Sequence, residues 1–142
     1  MQTHQEKVRA EVARRGLVSL MNETRWRELR EGVLAGLAFP PPFQRKDVLA
    51  PEPEPAGFEE DIPYWGDWSD GILPFYSIEW IRVRARPLHQ RSFLLMPEAL
   101  NVETDFRELL VRHRIPWQES AGSIWIYGYS ADTASRFQVR NR

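Results

Sequence analysis

The chain has 142 residues with 42% hydrophobic and 12% aromatic side chains, enough to build one core of ordinary size. It has no cysteine, which excludes a disulfide framework, thiolate metal sites and side-chain redox chemistry. The formal net charge of −1 hides a segregation: residues 1–46 carry nine Lys/Arg and five acids, residues 47–81 nine acids and no Lys/Arg, and residues 82–142 ten Arg and six acids. No run approaches the roughly 20 apolar residues of a membrane span, and the charged start MQTHQEKVRAEVARR lacks the apolar centre of a secretory signal. A cytoplasmic protein is expected.

The first predicted element is a helix over residues 5–15, with Val8 and Val12 in i, i+4 register, basic Arg14 and Arg15 in the last turn and Gly16 as its stop. A second follows from Asn22, a capping residue. Trp26, Leu29, Val33 and Leu37 share one face at 3 and 4 spacing, while Gly32 and Gly36 weaken its end. The run FPPPF imposes an extended path, because each proline fixes its own φ and pushes the preceding residue out of the helical region. Phe39 and Phe43 bracket it as core anchors. The run APEPEPAG has little to bury, so residues 50–60 are expected to form an exposed Pro/Glu-rich spacer inside a single domain spanning 1–142.

Residues 75–85 predict a strand in which Ile81, Val83 and Ala85 alternate with Trp80, Arg82 and Arg84. RSFLLM predicts a second strand. Residues 102–114 predict a third helix with Phe106, Leu109, Leu110 and His113 on one face and Asn101 or Thr104 as its cap. SAGS then separates strands near residues 115–118 and 123–129, with Ile124 and Ile126 opposed to Trp125, Tyr127 and Tyr129. The expected fold is α+β: two N-terminal helices, then a mainly antiparallel β-β-α-β-β sheet with a helix on one face.

The search for catalytic chemistry returns nothing. His4, His89 and His113 lie in three separate elements without ligand spacing. There is no G-x-S-x-G elbow, no nucleotide-binding glycine loop and no cofactor signature. Asp61, Asp67, Asp70 and Glu79 suit a hard cation by residue type, but no loop template fixes their geometry. The reading is therefore a non-enzymatic protein without cofactor or metal.

The stretch DIPYWGDWSD is the strongest functional signal, because turn chemistry does not call for Tyr64, Trp65 and Trp68 among acids. Aromatic rings flanked by carboxylates, in a segment lacking every positive charge, have the composition of a surface that meets a basic protein. Candidate partner-binding residues are Glu59, Glu60, Asp61, Tyr64, Trp65, Asp67, Trp68 and Asp70, with one of Trp65 and Trp68 expected to turn inward. The competing reading places single-stranded nucleic acid on a face of Trp80, Arg82, Arg84, Trp125 and Tyr127, by stacking and phosphate contact. Against it stand two lysines in the whole chain and no RNA-binding aromatic motif.

Four stretches, NETRWRELREGV, FPPPFQRKDVL, FYSIEWIRVR and RHRIPWQESAGSIWIYGYS, resemble an uncharacterised bacterial domain-of-unknown-function family. The resemblance implies a small α+β protein with no established reaction, similar to the immunity proteins encoded beside bacterial toxins. It transfers no catalytic residue. On this basis the expected partner is a cognate toxin with a basic surface.

Overall fold

The computed structural model describes residues 1–58, 65–85 and 101–131. The expected strand at RSFLLM, and Glu59, Glu60, Asp61 and Tyr64, lie outside the described residues. Helix α1 spans His4–Arg15 and starts with a capping box, in which Thr3 and Glu6 satisfy each other's backbone N–H groups. It ends on Gly16 at φ 68°, where the absence of a Cβ removes the left-handed penalty. Helix α2 spans Glu23–Gly36, capped by the Asn22 side chain on the Arg25 N–H, and buries Trp26, Leu29 and Val33. Helix α3 spans Glu103–Arg112 and buries Phe106, Leu109 and Leu110, with the Asn101 side chain accepting from the Glu103 N–H.

The sheet has four antiparallel strands in the order β2-β3-β5-β4: β2 Phe43–Asp47, β3 Ile78–Val83, β4 Gln118–Ser120 and β5 Ser123–Tyr127. A 3-10 turn, Phe75–Ser77, precedes β3, so the strand expected from residue 75 begins three residues later. The β4–β5 turn has Ala121 at φ 53° and Gly122 at φ 76°, the left-handed pair that a two-residue hairpin requires. A separate two-stranded ribbon pairs β1, Val18–Ser19, with β6, Tyr129–Ser130. The α+β class read from the sequence is the observed one; the strand expected near 115–118 lies at Gln118–Ser120, the one expected over 123–129 ends at Tyr127, and β2 and the β1–β6 ribbon are additions to the expected order.

Register decides the two faces. Ile81 lies opposite Ile126 and Val83 opposite Ile124, and these residues join Trp26, Leu29, Val33, Phe106, Leu109 and Leu110 in one buried cluster. Helices α2 and α3 therefore cover the apolar face. They approach closely at Gly32, where an added Cβ would stand 2.3 Å from Leu109 Cδ1, so this glycine is used for helix packing and not merely tolerated. The other face pairs Trp80 with Tyr127 and Arg82 with Trp125, continued on β2 by Gln44 and Lys46.

Charged clamps hold the β2–β3 side of the sheet. The Arg45 guanidinium, 12% exposed, binds Asp47 Oδ1, Ser77 Oγ and the carbonyls of Gly71, Leu73 and Pro74, fastening residues 71–77 to β2. Glu79 accepts both Arg15 nitrogens at 3.0 and 2.9 Å and Lys46 Nζ at 3.2 Å, tying α1 to the sheet. Burial by itself raises the Glu79 carboxyl, but the hydrogen bonds and charges of Arg15 and Lys46 outweigh it and hold its pKa below the ordinary value.

A carboxyl depressed in the folded state adds stability that is present above its unfolded pKa and is lost as pH falls through its folded value. Glu79→Gln is expected to lower stability at neutral pH by about 2 kcal/mol, the scale of a charged hydrogen bond. Urea unfolding of both proteins should show that gap shrink as pH drops below about 4.3, the unfolded carboxylate value. A gap independent of pH would show that charge at Glu79 contributes nothing.

Candidate functional site

The loop that carries the acidic and aromatic residues is built on the proline run. Phe39 and Phe43 are buried at its ends, as the sequence predicts. Prolines donate no backbone hydrogen bond, but their carbonyls still need donors. Pro40 O accepts from Gly66 N at 3.1 Å, Pro41 O from the Trp68 indole at 2.8 Å and Pro42 O from Arg84 N at 3.1 Å. Gly66 is required by close approach: a Cβ there would stand 2.2 Å from Pro41 O.

These contacts send the two tryptophans in opposite directions. Trp68 is 1% exposed and packs edge-on against Phe43 and Phe106, with ring centroids at 5.0 and 6.2 Å. Its assignment to a partner-binding surface is therefore corrected. A buried indole N–H needs an acceptor, and the Pro41 carbonyl is that acceptor, so Trp68 is a core residue. Trp65 is 66% exposed, and it is the one exposed Trp of the six, all of which lie among the described residues. Phe39 meets it edge-on at 5.6 Å and 82°, which steadies the ring without covering it.

Asp67 and Asp70 are exposed beside it. Asp67 Oδ1 accepts the Asp70 N–H at 3.1 Å, closing a short turn, and Arg30 on α2 donates twice to the Ser69 carbonyl. The loop is thus tied down by backbone groups and by Arg30, and among its described residues it presents the Trp65 ring and the Asp67 and Asp70 carboxylates to solvent. Glu79 does not join them, since Arg15 and Lys46 occupy it. Among the described residues no group of three or more His, Asp or Glu side chains is placed to hold a metal ion.

The second candidate surface is assembled as the alternation predicts, but it is not open. Trp80, Trp125 and Tyr127 form a half-buried ladder with centroids at 4.9 and 6.4 Å. Arg82 and Arg84 are only 7% and 4% exposed, which corrects their reading as open phosphate contacts. Arg82 Nε donates to Ser123 Oγ and its guanidinium lies 5.3 Å from the Trp125 ring. The cover is Phe58, which is fully buried, stands 4.4 Å from the Arg84 guanidinium and takes a hydrogen bond from Arg84 on its carbonyl. The Pro/Glu run is largely exposed as expected, but it is also tethered: Glu54 and Arg45 exchange both backbone hydrogen bonds, and Gln44 donates to Pro55 O.

The sequence reading missed Gly66 and Phe58. Each carried a signal, a glycine between two large aromatic neighbourhoods and a lone aromatic ring closing a Pro/Glu run. Among the described residues no helix is long and apolar enough to cross a membrane.

A family model matches residues 8–133, and the chain belongs to that family, DUF6678, a family of unknown function. No curated protein and no solved structure matches the chain.

The opposed fates of the two tryptophans are checked by one pair of variants in thermal and urea unfolding. Trp68→Ala should cost about 3–5 kcal/mol, as truncations of buried large aromatics do. Trp65→Ala should cost about 1 kcal/mol or less, since most of its ring already faces water. Equal losses would contradict the inward and outward assignment.

Proposed function

We propose that this member of the family is a non-catalytic protein-binding module that docks on a basic surface of another protein through Trp65, Asp67 and Asp70. The observation that carries the reading is Trp65, a large ring held in place by Phe39 and by the neighbouring Gly66–Pro40 hydrogen bond, yet two-thirds exposed. An immobilised exposed aromatic loses little conformational entropy on binding, which is the property of interface anchors. The surrounding charge supports the same partner chemistry, because residues 47–81 carry no Lys or Arg.

Within this reading the partner is a toxin with a cationic surface and the module is its immunity-type inhibitor, acting in the cytoplasm of a bacterium by occupying that surface. No step of chemistry is assigned to the chain. The nucleic-acid reading has less support as an open-face mode, because Phe58 lies against both arginines it requires.

The test is binding to the product of a toxin reading frame adjacent to this gene. Asp67→Asn with Asp70→Asn should slow association and flatten its salt dependence while melting like the parent, since an asparagine at position 67 keeps the oxygen that accepts the backbone N–H of residue 70. Trp65→Ala should mainly speed dissociation, by about tenfold or more. Unchanged kinetics in both variants would remove the surface from the interface.

A further inference from the structure

Helix α2 ends without the groups that ordinarily close a helix. Its last helical bond is donated by Leu37 N to Val33 O at 3.4 Å, and Leu37 leaves in extended conformation at φ −98°, with no basic residue in the last turn. Gly36 O has no helical donor to meet, because the residue four positions on is Pro40. Among the described residues the carbonyls of Leu34, Ala35 and Gly36 accept no hydrogen bond beyond the helix, so they stand at the negative end of its dipole with no cation of this chain upon them.

The side chains at this end are apolar and open. Residues 32–44 carry no charge, and Leu34, Ala35, Gly36 and Ala38 are exposed, Leu34 by 46%. Two contacts join this end of α2 to the loop of Trp65. Arg30 donates twice to Ser69 O, and Phe39, three residues beyond the helix, meets the Trp65 ring edge-on. Leu34 falls between them in the chain and follows Arg30 at i+4, on the side of α2 that faces the loop. Leu34 and Trp65 are thus the large exposed apolar groups of one surface, with Asp67 and Asp70 at its rim. An apolar centre inside a charged rim is the anatomy of a protein interface. Carboxylates and uncapped carbonyls have the same sign, so both attract a cation.

We propose that the docking surface extends from the Trp65 loop onto the end of α2, where the partner lays an apolar side chain on Leu34 and Trp65 and brings a lysine or arginine to the carbonyls of Leu34, Ala35 and Gly36. Such an extension rests on the Trp65 reading and adds to it what the partner presents, an amphipathic segment of apolar and basic residues. Its cation supplies the C-terminal cap that α2 lacks.

The experiment is an NMR titration of the full chain with a helical peptide of leucine and lysine, the leucines on one face. Amide signals of residues 33–38 and the Trp65 indole signal should shift together, and the same peptide with glutamate for lysine should shift neither. Leu34→Ser should weaken binding of the lysine peptide about fivefold or more. Ala35→Lys supplies the cap from within the chain. It should raise the melting temperature by about 1–4 °C and yet weaken the lysine peptide about threefold or more. Thr24→Lys, at the far end of α2, should leave affinity unchanged.

Shifts at Trp65 without shifts at residues 33–38 would overturn the extension and leave the Trp65 surface standing. Shifts at residues 33–38 with an unmoved indole would overturn the joined surface and the Trp65 reading with it. Equal affinity for the lysine and glutamate peptides, or parental affinity in Ala35→Lys, would overturn the cap. No shift at either place with the lysine peptide at about millimolar concentration would overturn the amphipathic partner, while the Trp65 surface is still decided by the toxin kinetics above.

Discussion

The structure depends on three carbonyl groups in a row. An extended proline run turns once every three residues and makes no hydrogen bonds of its own, so Pro40, Pro41 and Pro42 present their oxygens in three directions. One meets the Gly66 backbone, one the Trp68 indole and one the Arg84 backbone at the end of β3. A segment with no N–H to donate thereby joins the loop, the core and the sheet. Phe39 and Phe43 anchor its two ends, and the edge strand β2 begins on the second of them. If the run were shifted by one residue, all three acceptors would face the wrong donors, so the proline register sets where β2 starts and which Trp enters the core.

The acidic middle of the chain divides into groups with different physical roles. Asp47 and Glu79 are bound to cations inside the fold, Asp47 to Arg45 and Glu79 to Arg15 and Lys46. Their charges are taken up inside the fold. Asp67 and Asp70 face water, with a loop hydrogen bond as their mutual contact. A count of acids from 47 to 81 therefore overstates the charge a partner meets, and the cations that correct it come from α1 and β2, far away in sequence. The field at Trp65 is set by the loop acids that remain outward.

Legibility followed periodicity. Helices α1, α2 and α3 were readable because 3 and 4 spacing and end residues are local: Asn22, Gly16 and Asn101 act at the ends where the sequence places them, while the Thr3 cap of α1 was not read. Strand β3 and the β4–β5 hairpin were readable from alternation and from the Ala-Gly turn. Strand β2 was not, because QRKD after Phe43 offers no apolar alternation. It is an edge strand held by Arg45 and by pairing with β3. The Trp65 and Trp68 pair shows the same limit at the site. Nothing within WGDW distinguishes the rings, and the acceptor that pulls one inward is 27 residues away. The outward group of Trp65, Asp67 and Asp70 was visible as composition, whereas its division from Trp68 needed a tertiary contact.

That division also explains how one short loop can serve fold and surface together. Its anchors are Gly66, which must lack a Cβ, and Trp68, which must supply an indole N–H; both act on backbone carbonyls of the proline run. Among the described residues its outward positions, Trp65, Asp67 and Asp70, meet the scaffold at the Phe39 ring edge and at a turn hydrogen bond. Substitutions at the outward positions change what a partner meets at small cost to stability, while those at the anchors remove the support on which the surface stands. A surface loop built this way keeps its shape when its chemistry changes. The rigidity of this loop comes from Pro40 and Pro41, whose carbonyls hold Gly66 and Trp68 in place.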